Sequence, residues 1–137
     1  MSDDEKKIRH LEMIEKIITR MADNSFLLKR WGILVLVAIV ALSHWENSEY
    51  VILAAIIPCI MLWILDSYHL CIERRYRSHY DVVRAKSNDE IDYSMHCEYD
   101  KDDREMRYLN AFRSRTESVF YILIIVSIVV IFFVCKV

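Results

Sequence analysis

The sequence is poor in the residues that form turns. One glycine, Gly32, and one proline, Pro58, occur among its 137 residues, and both lie inside apolar stretches. Folds built from β-hairpins or long irregular loops need many more, because glycine supplies positive φ angles and proline fixes the backbone at turn positions. The scarcity of both residues excludes such folds and makes helix the default prediction.

The sequence also lacks a disulfide framework and a cleavable leader. Cys59 and Cys71 fall in one apolar region, Cys97 lies in a polar region and Cys135 lies near the far end, so no two of these cysteines are placed to form a disulfide. The opening residues are acidic and are not followed directly by an apolar run, so we expect the N-terminal segment to stay attached.

Hydrophobic and charged residues are both abundant, at 55% and 28%, and they are kept apart along the chain. Three stretches hold almost no charge, and with their amphipathic flanks each approaches the ~20 residues that cross ~30 Å of hydrocarbon as a helix. The predicted transmembrane helices are residues 26–45, 50–72 and 117–137. We favour them over three buried helices of a soluble bundle, because charge is excluded from such long stretches.

Lysine and arginine lie on one side of the predicted spans. Seven precede the uncharged run of the first span, which begins at residue 31, and ten lie between the second and third spans. One follows the uncharged run of the third span, which ends at residue 134, and the short loop of residues 46–49 has none. The positive-inside rule then places the N-terminus and the middle region in the cytoplasm and the C-terminus outside. The cytoplasmic part balances 17 basic against 18 acidic residues, which argues against nucleic acid as a partner.

Residues 1–25 have the pattern of an amphipathic helix that begins at a capping box of Ser2 and Glu5. Apolar residues recur along it at steps of three or four. They are Ile8, Leu11, Ile14, Ile18 and Met21. Residues 23–25, Asp-Asn-Ser, are expected to end the helix. The pattern is compatible with a position on the membrane surface, with packing on other cytoplasmic helices and with pairing to a second copy.

The cytoplasmic region between the second and third spans, residues 73–116, is predicted to hold three elements. The second helix continues beyond the membrane, because no helix breaker occurs before residues 87–89. Residues 91–99 alternate between apolar and polar, which indicates either a short strand that needs a partner or an ordered loop. Helix resumes over residues 100–116. The residues expected to face inward from it are Met106, Leu109 and Phe112.

Asp66 is the one acid within an apolar stretch, and an ionisable side chain at such a position needs a partner. Because the first two spans form a hairpin, Lys29 and Arg30 lie level with Asp66, and either would form an ion pair that fixes the register of the hairpin. The alternative role of Asp66 is proton or ion sensing together with His69, one helical turn away. In the same span, Pro58 is expected to kink the helix.

Three arginines follow the second span directly: Arg74, Arg75 and Arg77. They are expected to anchor the orientation of the span and to contact anionic lipid headgroups, each contact contributing ~1 kcal/mol. The lipid bilayer is therefore one predicted partner.

No pattern in the sequence indicates catalysis or a cofactor. The possible metal ligands are His69, Cys71, His79, His96 and Cys97, and they have neither CxxC nor HxxxH spacing. No nucleophile with a positioned base and no phosphate-binding loop is recognisable. We therefore predict a protein that is not an enzyme and has no catalytic residue, metal or cofactor.

A series of short segments carries a resemblance to a known family. The segments are NSFLLK at residues 24–29, Pro58, LDSYHL at residues 65–70, ERRYR at residues 73–77 and IDYSM at residues 91–95. In this order they resemble a widespread, mostly uncharacterised family of small bacterial membrane proteins. This sequence departs from the family's pattern at His69, where tyrosine is common, and at Arg30, where glycine is common.

The resemblance implies a multi-pass protein of the bacterial inner membrane, with a cytoplasmic N-terminus and a periplasmic C-terminus. Such proteins are similar in plan to membrane effectors of antiphage defence systems, in which a cytoplasmic sensing part acts on spans that perturb the membrane.

Two functions from different classes follow as hypotheses. The first is a self-assembling, channel-like effector that perturbs the membrane when a nucleotide messenger or a cytoplasmic protein partner binds. Three spans in one subunit enclose no water path, so this function requires a homo-oligomer. The second is a passive membrane anchor or scaffold that recruits a soluble partner.

Overall fold

In the computed structural model the chain is described over residues 2–45, 50–97 and 108–136. Its helices are α1 (Asp3–Trp45), α2 (Tyr50–Leu53), α3 (Ile56–Ala85), α4 (Tyr108–Phe112) and α5 (Arg115–Lys136). These ranges contain no strand, so the predicted all-α class is confirmed. Among the described residues, α1, α2 with α3, and α5 are long and apolar enough to cross a membrane, which by length and composition indicates a multi-pass membrane protein.

α1 joins two segments that the sequence predicted as separate helices. It runs without a break for 43 residues, so the predicted end at residues 23–25 is wrong. Asp23 is exposed, and Ser25 accepts a hydrogen bond from Lys29 at 2.7 Å, so these polar residues fit the helix. Their low helix propensity, less than ~1 kcal/mol each, is outweighed by the packing of α1 on both sides of them.

The N-terminal part of α1 packs on another helix of the same chain. The predicted capping box forms, with Ser2 N 2.9 Å from Glu5 Oε2 and Glu5 N 3.3 Å from Ser2 Oγ. Ile14 is buried against Val83 of α3 and against Ile91. Of the roles that the apolar pattern left open, packing within the chain is the one found in the structure.

The second predicted span is interrupted next to its proline. α2 ends at Leu53 and α3 begins at Ile56, with a turn at Ala54 and Ala55 between them. Pro58 has no N–H for the carbonyl of Ala54, four residues earlier, and its ring would clash with that carbonyl in a continuous helix. The predicted kink is therefore a full break. Beyond it, α3 continues to Ala85, so the expected helical extension past the apolar stretch is confirmed.

Residues 87–97, which we call the strap, return from the end of α3 over α1 and α3. Asn88 Nδ2 lies 2.5 Å from Asp4 Oδ1, and His79 Nε2 lies 3.1 Å from the carbonyl of Ser94. The strap begins with a single 3₁₀ turn (Asn88–Glu90), and residues 91–97 form no strand. The strand interpretation is wrong for these residues because side chains, rather than a neighbouring strand, bind the backbone; residues 98 and 99 lie outside the described ranges.

The helix predicted over residues 100–116 is not continuous into the third span. Residues 100–107, including Met106, lie outside the described ranges, and the remainder is α4, a break at Arg113 and Ser114, and then α5. The break frees the carbonyl of Phe112, which accepts a hydrogen bond from Ser118 Oγ at 3.2 Å.

The two apolar residues of α4 behave differently. The ring of Phe112 stacks on Trp63 of α3, with centroids 4.4 Å apart, as expected for an inward-facing residue. The prediction is wrong for Leu109, which is 69% exposed, because α4 ends after five residues and presents only one side to α3.

The apolar stretches of α1, α3 and α5 pack together with α2. Buried residues of α2, α3, α5 and the turn before α3 form one cluster, against which Leu36 and Ile39 of α1 pack. Its members are Ile52, Ala55, Cys59, Tyr121, Ile124 and Ile128. Gly32 of α1 faces α3, and a Cβ at this position would lie 3.5 Å from Leu62 Cδ1, an ordinary van der Waals contact. The outward-facing side chains of the same helices are largely apolar and exposed, for example Ile57 at 67% and Val130 at 53%, as a lipid-facing surface would be.

A buried ionic cluster as the candidate functional site

One lysine joins the three long helices at the end of the bundle away from α2. Lys29 Nζ of α1 lies 2.8 Å from Asp66 Oδ2 of α3. It also lies 3.0 Å from Oε1 and 2.9 Å from Oε2 of Glu117 in the first turn of α5. We call Lys29, Asp66 and Glu117, together with Ser25 and Tyr121, the ionic cluster.

The charged side chains of the ionic cluster are almost completely removed from solvent. The exposed fraction is 0% for the side chain of Asp66, 6% for Glu117 and 18% for Lys29. Charges in such a place are costly unless they are paired and hydrogen-bonded, since the surrounding medium screens and solvates them poorly. The ammonium group of Lys29 therefore acts as the electrostatic link between α3 and α5.

A hydroxyl group completes the coordination of Asp66. Tyr121 donates a hydrogen bond from its hydroxyl to Asp66 Oδ2 at 3.0 Å. The oxygen of Ser25 accepts from Lys29 at 2.7 Å and so helps to hold the ammonium group in place. Asp66 thus has a donor from α1, in Lys29, and one from α5, in Tyr121. These contacts bind the carboxylate from two sides and fix its position.

An aromatic stack lies beside the ionic cluster. The ring of Tyr121 stacks on Trp63 with centroids 5.8 Å apart, and Trp63 stacks in turn on Phe112. The stack joins α3, α4 and α5, and large rigid rings of this kind pack well and exclude water. It therefore helps to keep the Tyr121 hydroxyl aimed at Asp66.

The structure brings some of the residues predicted from sequence together and separates others. The expected ion pair of Asp66 is made by Lys29, whereas Arg30 is exposed. His69 is half-buried, and its ring packs edge-on to Tyr68 with centroids 5.9 Å apart. Pro58 lies in the first turn of α3, next to the break, and away from the ionic cluster.

Glu117 and Tyr121 were missed by the sequence reasoning. The sequence pattern places Glu117 at the border of the third span and indicates no role for it. The available signal was the spacing of the two residues: four positions apart, they lie on one face of α5 at the end that meets Asp66. Pairing that face with α3 required the tertiary structure.

The arginines predicted to contact headgroups have partners within the protein. Arg74 Nη2 donates to Ser114 Oγ at 3.2 Å, and Arg77 Nη2 lies 2.7 Å from Glu73 Oε1 on the same helix. Arg75 is half-buried. Their contact with lipid headgroups stays a prediction, while Arg74 has the additional effect of joining α3 to the break before α5.

A second buried polar group lies under the strap. His10 of α1 is 4% exposed, and its Nε2 atom has no hydrogen-bond partner in the described part of the chain. Its ring meets His79 and Tyr93 edge-on, at centroid distances of 6.3 Å and 5.7 Å. Burial lowers the pKa of His10 below its ordinary value of 6.5, the neighbouring His79 lowers it further, and Asp92 opposes both.

We expect the strap to loosen as the pH falls below about 6.5. When the strap is open, His10 takes up a proton at a higher pH than when the strap covers it. The closed form of the strap is therefore fully stable above pH 6.5 and loses stability as the pH falls below that value. Hydrogen exchange at residues 91–95, corrected for the intrinsic rate, measures the effect. His10→Phe should keep the strap protected at low pH. His96→Phe, at an exposed position, should behave like the unsubstituted chain; an equal decline in His10→Phe would contradict the assignment.

The described residues offer no metal site, because no group of three or more histidine, cysteine, aspartate or glutamate side chains is placed to hold an ion. Comparison of the chain with protein-family models, with curated proteins and with solved structures finds no match.

Proposed function

We propose that the chain is a self-assembling membrane effector, in which a signal received by the extramembrane part changes the packing of the spans. One observation carries the proposal. α1 and α3 both continue without a break beyond the apolar bundle, and there their polar parts pack on each other as what we call the polar hairpin. The ionic cluster links both helices to α5 at the point where the apolar bundle begins. A helix transmits a rotation or shift along its length, so a change in the hairpin acts directly on the ionic cluster.

Action on the membrane requires several copies of the chain in this proposal. The space enclosed beside Gly32, Leu62 and Tyr121 has a volume of about 10 Å³, which holds one water molecule at most. In the described part of one copy, this space between the helices is therefore too small for a water-filled path. We propose a homo-oligomer whose spans rearrange around a shared axis.

The proposed signal is a nucleotide messenger or a cytoplasmic protein, and the proposed setting is the bacterial inner membrane. The orientation, with the N-terminus in the cytoplasm and the C-terminus in the periplasm, follows from the distribution of lysine and arginine. A role in antiphage defence rests on the family resemblance of the sequence. The chain has no catalytic task in this proposal.

Expression of the full chain in bacterial cells tests the effector function. A membrane-potential dye is read before and after phage challenge, and the expected result is depolarisation that follows the challenge. The matched control is Asp23→Pro, which interrupts α1 between its two parts and should stay inactive when present in the membrane at the same level. An unchanged potential in cells that carry the unsubstituted chain would count against the proposal.

A scaffold is the second candidate, and exposed apolar side chains on the extramembrane hairpin favour it. Ile8, Met13 and Val82 are 56%, 51% and 50% exposed, far along α1 and α3 from the apolar bundle. Exposed apolar residues outside a membrane are typical of surfaces that bind a protein partner. Purification of the full chain in mild detergent distinguishes the two functions: a stoichiometric soluble partner without depolarisation supports the scaffold.

A further inference from the structure

We infer that the ionic cluster is a proton-binding site, in which Glu117 carries an exchangeable proton and shares it with Asp66. The inference rests on the geometry of the ionic cluster alone and not on the proposed effector function. The ligand is a proton from the aqueous phase next to the bundle.

The count of charges is the first observation. With both carboxyl groups ionised, Asp66 and Glu117 carry two negative charges against the single positive charge of Lys29, and the next basic residue along α1, Arg30, is exposed. The uncompensated charge would be buried, which would destabilise the folded chain. One added proton makes the cluster neutral and removes that destabilisation.

The hydrogen bonds are the second observation. Asp66 Oδ1 and Glu117 Oε2 are buried and have no hydrogen-bond partner within the described ranges. Glu117 Oε2 lies 2.9 Å from Lys29 Nζ but outside hydrogen-bonding geometry. Both carboxyl groups contact the same ammonium group, because Lys29 Nζ also lies 2.8 Å from Asp66 Oδ2. Two ionised carboxylates have no donor to offer each other, whereas a protonated carboxyl donates to its neighbour.

The unequal surroundings of the two carboxyl groups decide which of them holds the proton. Asp66 accepts from two donors, on Lys29 and Tyr121. Glu117 accepts from Lys29. Hydrogen bonds to a carboxylate favour its ionised form, so Asp66 stays ionised and Glu117 is the neutral partner that donates to it.

Loss of this proton would change how the three helices pack. Deprotonation of Glu117 places two negative charges next to each other at the contact between α3 and α5, where one lysine balances only one of them. The helix that carries Glu117 is then repelled from Asp66. The proton thus stabilises the position of α5, and a rise in pH on the side of the bundle that opens to the ionic cluster weakens it.

Infrared spectroscopy of the purified full chain, reconstituted in lipid vesicles, tests the inference. At neutral pH we expect the C=O stretching band of a protonated carboxyl group, with the small downshift in D₂O that such a group shows. The band should be absent in Glu117→Gln and unchanged in Glu12→Gln, at an exposed position on α1. In Asp66→Asn it should shift in frequency, because the acceptor of the shared proton is altered.

A second measurement makes the result independent of how well the variants fold. The unsubstituted chain, titrated upward from neutral pH, should lose the band and lose thermal stability over the same pH interval. Glu117→Gln, whose amide imitates the protonated carboxyl, should show no such decline in stability. A spectrum of the unsubstituted chain with no protonated-carboxyl band at neutral pH would overturn the inference, as would a band that Glu117→Gln leaves unchanged.

Discussion

Replacing Lys29 by methionine is expected to destabilise the folded chain by about 3–5 kcal/mol, the usual cost of removing one partner from a buried ion pair. The substitution leaves Asp66 and Glu117 together in a place that excludes solvent, with exposed fractions of 0% and 6% and without the cation that contacts both. Methionine fills a similar volume, so the loss reports charge rather than packing. Chemical unfolding of the purified chain in detergent measures it.

Two further variants make this prediction specific. Arg30→Met removes the neighbouring positive charge from an exposed position of the same helix and should leave the unfolding free energy almost unchanged. Adding Asp66→Asn and Glu117→Gln to Lys29→Met removes every charge from the ionic cluster and should restore most of the loss. Equal stability of Lys29→Met and Arg30→Met would show that the ionic cluster does not hold the helices together.

A proline at position 23 should produce the second large effect. Asp23 is exposed near the middle of α1, so Asp23→Pro removes no buried contact of the side chain. It does remove the backbone hydrogen bond to residue 19 and introduces a ring clash, at a cost of about 3 kcal/mol. We expect α1 to break between the hairpin and the apolar bundle. Hydrogen exchange should then rise on both sides of residue 23, while the helix distant from the break stays protected.

Asp3→Pro is the matched control for this substitution. Residue 3 is the first of α1, a position at which the backbone N–H has no partner within the helix and proline is well tolerated. The change removes an exposed ion pair with Lys6, which contributes little. If Asp23→Pro costs no more than Asp3→Pro, α1 does not act as one rod, and the proposed coupling of the hairpin to the spans loses its basis.

Patterns that are local or strongly segregated could be predicted from the sequence. The three apolar stretches predicted the helices of the bundle, and the absence of helix breakers predicted that α3 extends past the apolar stretch, as it does to Ala85. The Asp66–Lys29 contact was within reach because a very short connection fixes the register of two antiparallel helices. In each case the information lies in the chain near the element concerned or in one simple geometric constraint.

The features that could not be predicted from the sequence depend on contacts between distant parts of the chain. Residues 23–25 look like a helix end, and only the packing of α1 on both sides of them keeps them helical. Residues 91–97 alternate like a strand, yet they have side chains of α3 as hydrogen-bond partners. Glu117 enters the ionic cluster because α5 packs against α3, and nothing local to Glu117 indicates that neighbour.

The break at Ala54 and Ala55 separates α2 from α3 within the bundle. α2 lies on the far side of the break, where Ile52 is buried and the ring of Tyr50 lies 6.1 Å from that of Phe132 near the end of α5. A rotation of α3 is therefore passed to α2 only through this turn, whereas α1 and α5 run past the turn without a break. The continuous helices α1 and α5, rather than α3, connect the end of the bundle that contains Lys29 to the end that contains α2.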